Sequence, residues 1–235
     1  MTGPLFLPGP ALQKNEAPCG LLDDSTGSPG LLCDRDGTII ENRNDYVRDP
    51  SQIKVLKGAL TALRRVAAWR IPIVLVTNQS PVGRGILTVH QAVALHTQVV
   101  DALSAEGVRI TATYMCPHAP ASACGCRKPA PGMIHAAVHR FRLDAARTAL
   151  VGDSVEDMLA ARRASVHGVM VRTGRGADHC NRLGQVPELV STPVVPDLSA
   201  AVDCLDPFFA EMRRTVTTAE PLRMRRGSED RGAKP

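Results

Sequence analysis

Two aspartates separated by one residue, Asp34 and Asp36, follow a short apolar run and precede a glycine. Gly37 can adopt the left-handed backbone conformation that a tight turn behind the pair requires. With this spacing, one carboxylate can attack as a nucleophile while the other donates and accepts protons. The motif DRDGT at 34–38 therefore indicates covalent catalysis with acid/base assistance. For this motif alone, a strand–turn with solvated acids is the structural alternative.

Further polar clusters could complete such a site. Thr77, Asn78 and Lys128 supply hydroxyl, amide and ammonium donors of the kind that phosphoryl oxygens need. Asp153 adds a third carboxylate from a distant part of the chain. Because several converging carboxylates would repel one another without a cation, the sequence predicts a hard divalent ion such as Mg²⁺.

The segment CPHAPASACGC at 116–126 has the spacing C-x-H-x5-C-x-C. Two close pairs joined by a short loop suit tetrahedral Zn²⁺, and the expected ligands are Cys116, His118, Cys124 and Cys126. Since protein would fill all four positions, we expect a structural zinc site. A disulfide is disfavoured because C-x-C pairs close strained rings and because seven cysteines, an odd number, do not form a secreted framework. Arg127 and Lys128 follow directly, so the loop would fix where both cations point.

The segments between these motifs alternate between strand and helix patterns. Short apolar runs predict strands at 31–33, 71–77, 109–115, 148–153 and 168–174. Amphipathic spacing predicts helices at 57–70, 88–107, 131–141 and 155–165, with a short strand and a last helix in 193–205. This alternation predicts an α/β fold with an open parallel sheet and helices on both faces. Ligands bind beyond the carboxyl ends of such strands, and the motifs above fall at those ends.

Composition and charge set the limits of the chain. Its 235 residues, 44% of them hydrophobic, suit one large domain, which we predict at 30–210 between a disordered leader at 1–29 and a disordered basic tail at 211–235. The net charge of +5 collects in that tail, which mixes acids with its bases and lacks aromatics, so we expect no nucleic-acid partner. We also expect no membrane span and no signal peptide, and hence a cytoplasmic protein.

Taken in order, DRDGT, TNQS, RKP and GDSVED resemble the motifs of the haloacid dehalogenase (HAD) superfamily of phosphatases, over roughly residues 30–205. The resemblance implies a Rossmann-like HAD fold and a phosphoric monoester hydrolase. It implies that Asp34 is the nucleophile and forms an aspartyl-phosphate, while Asp36 protonates the leaving alcohol and then activates water. Thr77 and Lys128 would hold the phosphoryl group.

The same resemblance implies a magnesium site. Its ligands would be Asp34, the backbone carbonyl of Asp36, and Asp153. Asp157 would lie behind these ligands or bind the ion occasionally, and the alternative for this residue is an exposed acid on a helix.

The cysteine loop narrows the resemblance to two branches without a large cap domain, the D-glycero-D-manno-heptose 1,7-bisphosphate phosphatases and the histidinol-phosphate phosphatases. The segment TNQSPVGRG at 77–85 is similar to the heptose branch. The expected reaction is therefore removal of the 7-phosphate from the heptose bisphosphate, with histidinol phosphate as the alternative substrate. An inert phosphate-binding module on the same fold is the alternative from another class, and the complete set of acids and lysine argues against it.

The resemblance also implies residues that contact the substrate. Asn78, Gln79 and Ser80 would bind it, and Arg127 would contact the sugar phosphate. Three departures from the family pattern concern sugar specificity and leave the catalytic residues intact; they are Pro81, the segment ENRNDYV at 41–47, and Ser154. We expect a monomer that acts on a small phosphorylated metabolite.

Overall fold

The computed structural model describes residues 3–10 and 27–217, with side chains described as far as residue 210. A seven-stranded sheet runs through this part of the chain in the order β1-β4-β3-β2-β5-β6-β7. The strands are β1 (Leu5–Pro8), β2 (Ser28–Cys33), β3 (Ile73–Asn78), β4 (Ala112–Cys116), β5 (Leu143–Gly152), β6 (His167–Val171) and β7 (Val194–Val195). Only β1, which pairs with β4, is antiparallel to its neighbour within these residues. The predicted α/β fold with an open, mostly parallel sheet is confirmed.

Helices connect the parallel strands. They are α1 (Ala59–Ala68), the single turn α2 (Ser80–Gly83), α3 (Val89–Ala105), α4 (Gly132–Arg140), α5 (Val155–Arg163), α6 (Gly176–Leu183) and α7 (Leu198–Thr217). Two 3-10 turns lie at Pro50–Gln52 and Pro187–Leu189. Each of the helices predicted between 57 and 165 is present, with its ends shifted by only a few residues.

The helices bury both faces of the sheet. In β2, Leu31 and Cys33 belong to the core beneath α1, α3 and α7, whereas Leu32 belongs to the core beneath α4 and α5. Successive strand residues point to opposite faces, so a strand covered on both sides is apolar at every position. This double coverage explains why the predicted strands read as continuous apolar runs instead of alternating ones.

The N-terminal prediction needs a correction. Residues 1–29 were expected to be a disordered leader, but Leu5–Pro8 form the edge strand β1, and Ser28 already lies in β2. Leu5 and Leu7 pack on the apolar cluster around Met115, and the Phe6 ring lies 5.4 Å from that of Tyr114. A four-residue strand carries little periodicity, so its tertiary contacts decide its structure. The rest of the predicted leader lies outside the described residues.

Other element boundaries also differ from the predictions. Helix α7 continues to Thr217, so the segment 211–217 of the expected tail is helical, and residues 218–235 lie outside the described part. Helix α6 and the second 3-10 turn occupy a region where no element was predicted, and β5 begins at Leu143 instead of 148. The boundaries of the folded domain at 30 and 210 stay predictions.

The segments that follow β2 and β3 are short. Residues 34–58 contain one 3-10 turn and residues 79–88 contain the single turn α2, so in the described chain no cap domain is inserted at either place. Across residues 3–10 and 27–217, no helix has the length and apolar character needed to cross a membrane.

Candidate active site

An open cavity of about 290 Å³ lies at the carboxyl edge of the sheet. Strands β2, β3, β4 and β5 end at this edge because they are parallel neighbours. The turn after β2 contributes Asp34 and Asp36, and the loop from β4 to α4 contributes Arg127 and Lys128. Polar residues that are far apart in the sequence therefore line one cavity, as their positions at strand ends predicted.

Asp34 and Lys128 form the centre of this site. Both side chains are buried, and Lys128 Nζ lies 2.7 Å from Asp34 Oδ1. Burial raises the pKa of Asp34 to about 6, with contributions from the charges of Asp157 and Asp36 and with Lys128 opposing the shift. A carboxylate in this position has lost most of its water and has an oxygen available next to a cavity. Such a group is suited to nucleophilic attack.

The ammonium of Lys128 is fixed by three acceptors. Besides Asp34, it contacts Asp157 Oδ1 at 2.6 Å and donates to the backbone carbonyl of Val76 at 2.6 Å. Burial opposes the charge, but Asp157 and Asp34 more than offset this effect, so the pKa of Lys128 is raised. Lys128 is therefore a permanent cation with one orientation beside Asp34.

Asp157 is buried, so the alternative that it is an exposed helix acid is wrong. Its Oδ2 accepts from the backbone N–H and the hydroxyl of Ser154, and Ser154 in turn caps helix α5 by accepting from the backbone N–H of Asp157. Ser154, one of the departures from the family pattern, thus caps the helix and orients the acid that contacts Lys128.

Asp153 completes a cluster of three buried carboxylates. One oxygen from each of Asp34, Asp153 and Asp157 lies within 4.8 Å of the others. Asp153 Oδ2 accepts from the backbone N–H of Arg175 at 2.8 Å, but Asp153 Oδ1 is buried and has no hydrogen-bond donor among the described residues. Burial, together with the charges of Asp34 and Asp157, raises the pKa of Asp153 to about 8.

The backbone around Asp153 is built to let this carboxylate approach closely. A Cβ added to Gly37 would lie 2.0 Å from Asp153 Oδ2, and one added to Gly174 would lie 2.3 Å from it. Both glycines have positive φ, 88° and 57°. The glycine of DRDGT is therefore needed for space as well as for the turn. An unpaired buried carboxylate oxygen inside an all-oxygen set fits a hard divalent cation such as Mg²⁺.

Asp36 lies beside this cluster and is held by several donors. Arg35 donates from Nε to Asp36 Oδ2 and from Nη2 to Oδ1, both at 3.0 Å. Gln79 Nε2 donates to Asp36 Oδ2 at 3.0 Å and also to Thr77 Oγ1 at 3.0 Å. The Thr77 hydroxyl lies 3.5 Å from Asp36 Oδ2. The predicted acid/base residue thus has one defined orientation.

The other residues of TNQS connect to the cysteine loop. The side-chain amide of Asn78 donates to the backbone carbonyl of Lys128 at 3.0 Å and accepts from its backbone N–H at 3.1 Å. Ser80 Oγ accepts from Arg127 Nη1 at 2.8 Å. Asn78, Gln79 and Ser80 line the cavity, yet these bonds orient Lys128, Asp36 and Arg127. The predicted substrate contacts of Asn78, Gln79 and Ser80 stay predictions.

The four predicted zinc ligands come together in the loop after β4. Five of the six sulfur–sulfur and sulfur–nitrogen pairs among Cys116, His118, Cys124 and Cys126 are separated by 3.3 to 3.8 Å. A tetrahedron with Zn–S bonds of about 2.3 Å has sulfurs roughly 3.8 Å apart, so these separations are compatible with a Zn²⁺ site. The three cysteines are free thiols, which excludes a disulfide among them.

The three thiols of the cluster differ, because burial raises the pKa of Cys116 and Cys126 whereas that of Cys124 is lowered. Burial opposes ionisation of Cys124, but the backbone N–H of Arg127 and the neighbouring cysteines more than offset it and lower its pKa to about 7. Metals bind the thiolate form of cysteine. The N–H that favours this form at Cys124 belongs to Arg127, so the cysteine cluster is joined directly to a residue of the candidate active site.

Two residues at the site were not identified from the sequence. Arg35 carries the guanidinium that holds Asp36, and Arg175 lies at the edge of the cavity with Nε 3.7 Å from Asp153 Oδ2. Arg35 is the second residue of DRDGT, between the two aspartates, and only these neighbours gave a clue to its role. The position of Arg175 shortly after a strand end was the one sequence feature that could have identified it as a residue of the site.

The fold and this site together define a HAD-like hydrolase, and comparison with known proteins agrees. A family model described as HAD-hydrolase-like matches residues 125–201. A D-glycero-beta-D-manno-heptose-1,7-bisphosphate 7-phosphatase from Bordetella bronchiseptica is 35% identical over 175 residues, which cover 74% of this chain and 96% of that protein. The chain belongs to the HAD-like phosphatase family that contains these enzymes, as its motifs predicted.

Further relatives support the same placement. The enzyme of the same name from Pseudomonas aeruginosa is 32% identical over 178 residues, covering 74% of this chain and 96% of that protein. The crystal structure of the B. bronchiseptica D,D-heptose 1,7-bisphosphate phosphatase with magnesium and phosphate matches with a TM-score of 0.70 at 36% identity, covering 75% and 97% of the two chains. The Burkholderia thailandensis phosphatase of that name matches with a TM-score of 0.58 at 29% identity, again covering 75% and 97%.

Proposed function

We propose that this phosphatase depends on Mg²⁺ and removes the 7-phosphate of D-glycero-D-manno-heptose 1,7-bisphosphate through an aspartyl-phosphate at Asp34. The observation that carries the proposal is Asp34 beside the cavity, with the fixed cation Lys128 on one side and the oriented carboxylate of Asp36 nearby. The relatives named above act on this heptose bisphosphate, and they match over nearly their whole length.

In the first half-reaction, an Asp34 oxygen attacks phosphorus and the bond from phosphorus to the sugar oxygen breaks. Asp36 gives its proton to the departing oxygen. In the second half-reaction, Asp36 takes a proton from water, the water oxygen attacks phosphorus, and the bond to Asp34 breaks. Inorganic phosphate leaves and both carboxylates return to their starting states. Lys128 stays charged throughout and stabilises the phosphoryl oxygens.

The residues that would hold Mg²⁺ are Asp34, Asp153 and the backbone carbonyl of Asp36, and the burial of Asp157 adds a further carboxylate nearby. When bound, the ion neutralises charge on the phosphoryl oxygens and on the carboxylates around them. The Thr77 hydroxyl lies next to the Asp36 carboxylate, so Thr77 would contact the phosphoryl group from the side on which Asp36 lies.

We also propose that Cys116, His118, Cys124 and Cys126 hold a structural Zn²⁺. The loop that they define ends in Arg127, whose guanidinium also contacts the His118 carbonyl at 3.4 Å. A rigid Arg127 at the cavity can bind a second phosphate with its planar fork, which supports a bisphosphate over a monophosphate. We further propose that the protein acts as a cytoplasmic monomer on this small metabolite.

Turnover of three substrates tests the proposed function. Phosphate release from heptose 1,7-bisphosphate, fructose 1,6-bisphosphate and histidinol phosphate is measured at equal concentrations with Mg²⁺. We expect kcat/KM to be highest for the heptose bisphosphate by at least about tenfold, a discrimination worth about 1.4 kcal/mol. A preference for histidinol phosphate would assign the chain to that reaction, and no turnover of any ester would favour an inert binding module.

A further inference from the structure

Arg35 contacts the acid/base residue in a way that the catalytic steps above do not use. Its side chain is only 3% exposed, and its guanidinium faces the Asp36 carboxylate with Nη2 at 2.9 Å from Oδ2 and Nε at 3.0 Å from the same oxygen. Because Arg35 and Asp36 are adjacent in the chain, both side chains must point into the same region to make this contact. Such a bidentate contact fixes the plane of the carboxylate as well as its position.

The backbone of Arg35 is also held in place by hydrogen bonds. The backbone carbonyl of Arg35 accepts from the N–H groups of Ile39 at 2.9 Å and Ile40 at 3.0 Å. Both isoleucines are fully buried in the core. Arg35 therefore starts from a rigid turn, and a buried arginine has few alternative rotamers that keep a partner for its charge.

The buried imidazole of His96, on which the charge of Arg35 acts, carries no charge of its own. His96 on helix α3 is 2% exposed, and its Nδ1 has no hydrogen-bond partner within the part of the chain that the structure describes. Burial, together with the positive charge of Arg35, lowers the pKa of His96 to about 3. His96 is therefore neutral, and the charge that Arg35 compensates is that of Asp36.

The donors are distributed unequally between the two carboxylate oxygens. Asp36 Oδ2 receives Arg35 Nε at 3.0 Å, Arg35 Nη2 at 2.9 Å and Gln79 Nε2 at 3.0 Å. Oδ1 receives only the shared Nη2 at 3.0 Å among the described contacts. A proton on Oδ2 would face these three donors and the Thr77 hydroxyl at 3.5 Å, whereas a proton on Oδ1 leaves the contacts of Oδ2 intact.

We propose that Arg35 is a positioning residue for the acid/base Asp36, and that it makes Oδ1 the oxygen that transfers the proton. This inference rests on the proposed phosphatase mechanism. Asp36 Oδ1 gives its proton to the oxygen of the departing alcohol and later takes one from the attacking water, while Arg35 gains and loses no proton. Gln79 assists by holding Oδ2 from the other side. Without the guanidinium, the carboxylate keeps only the Gln79 and Thr77 donors, both on Oδ2, so its plane is no longer fixed.

A double-mutant cycle of Arg35→Gln and Asp36→Asn tests the proposal. With the sugar bisphosphate, we expect Arg35→Gln to lower kcat by roughly 10²-fold, within the range of lost acid/base catalysis, and to change KM by less than about threefold. Because Arg35 acts through Asp36, the double variant should be no slower than Asp36→Asn. A double variant that loses the full Arg35 factor again would overturn the proposal.

The leaving group separates positioning from general damage. p-Nitrophenolate needs no proton to depart, so in Arg35→Gln its release from p-nitrophenyl phosphate should remain fast while hydrolysis of the aspartyl-phosphate slows. We expect a burst of about one nitrophenolate per active site, followed by a slow steady rate. Equal losses in both phases would indicate a merely structural role and would contradict the proposal. Arg35→Lys keeps the charge without the fork, and we expect it to recover only part of the rate.

Two controls keep the outcome clear. Thermal unfolding verifies that the variants fold, and if Arg35→Gln does not fold, Arg35→Lys takes its place in the same cycle. Crystal structures of wild type and the Arg35 variant should differ in the direction of the Asp36 carboxylate, and an unchanged carboxylate would overturn the proposal without any assay. Wild-type protein that hydrolyses no ester would instead refute the proposed function. In that case the direction of the Asp36 carboxylate in the two crystal structures would still test the positioning role of Arg35, so the two failures can be told apart.

Discussion

At the scale of single residues, the side chains of one short motif each hold one of the proposed catalytic or substrate-binding residues. Asn78 holds the backbone of Lys128, Gln79 holds Asp36, and Ser80 holds Arg127. Each bond joins residues more than forty positions apart in the sequence. Donors and acceptors that are already oriented need no rearrangement during the reaction. Such preorganisation is usually the largest contribution to stabilisation of the transition state.

The nucleophile is the residue with the most direct test. We expect Asp34→Asn to lower kcat by at least about 10⁴-fold, because an amide cannot form the acyl phosphate. Phosphate release and trapping of labelled phosphoenzyme measure the effect, and thermal unfolding verifies the fold. Turnover within about tenfold of wild type would contradict the assignment of Asp34.

Arg127 is the residue whose role concerns substrate choice. We expect Arg127→Ala to raise KM for the heptose bisphosphate by roughly tenfold or more, because one charged contact to the second phosphate is lost. Hydrolysis of p-nitrophenyl phosphate, which has no second phosphate, should change far less. The exposed Arg84 in the neighbouring loop provides a matched control, and Arg84→Ala should affect neither substrate. Equal losses on both substrates would mean that Arg127 acts on the transferred phosphoryl group.

At the scale of elements, the loop from β4 to α4 combines the four proposed zinc ligands with two cations. Cys116 is the last residue of β4, and the other three proposed ligands precede Arg127. The backbone N–H of Arg127 also donates to Cys124. A metal that closes this loop therefore fixes the peptide from which Arg127 and Lys128 project.

Metal analysis tests the role of this loop. We expect one zinc per purified chain, retained after mild chelation that removes Mg²⁺, because four protein ligands enclose the ion. Cys124→Ser should lower both zinc content and activity, whereas Cys204→Ser, at an exposed cysteine, should leave both unchanged. Full activity in a Cys124→Ser protein without zinc would show that the loop does not depend on the metal.

Sequence patterns predicted the elements and strand ends better than the contacts between them. The parallel strands and most helices follow from apolar runs and helical periodicity, and the cysteine spacing indicated the metal cluster. The edge strand Leu5–Pro8 was missed because its stability comes from Met115 and Tyr114, more than a hundred residues away. Burial of Asp157 and the pairing of Arg35 with Asp36 depend on three-dimensional distances, which no local pattern records.

At the scale of the whole molecule, the active site concentrates negative charge in the interior. Asp34, Asp153 and Asp157 are buried together, and Lys128 contacts Asp34 and Asp157 but not Asp153 in the described contacts. Asp153 is compensated in part by Arg175, which is half exposed. Burying a charge without a close partner destabilises the folded state, so the protein holds Asp153 at the expense of its stability.

Neutralising this carboxylate should therefore separate stability from function. We expect Asp153→Asn to raise Tm in the presence of EDTA at pH 7 by roughly 3–6 °C. The raised pKa of Asp153 means that this carboxyl must take up a proton when the metal-free protein folds, which costs stability above its unfolded pKa, whereas the amide is always neutral and still accepts from the Arg175 N–H. Mg²⁺ should raise the Tm of wild type but not that of the variant, and the variant should lose nearly all activity. Calorimetry with EDTA and with Mg²⁺ measures both effects. Asp178→Asn, at an exposed acid in helix α6, is the matched control and should behave as wild type. A metal-free variant less stable than wild type would mean that the Asp153 charge is compensated in the folded protein, and an unchanged response to Mg²⁺ would remove Asp153 from the proposed ligands.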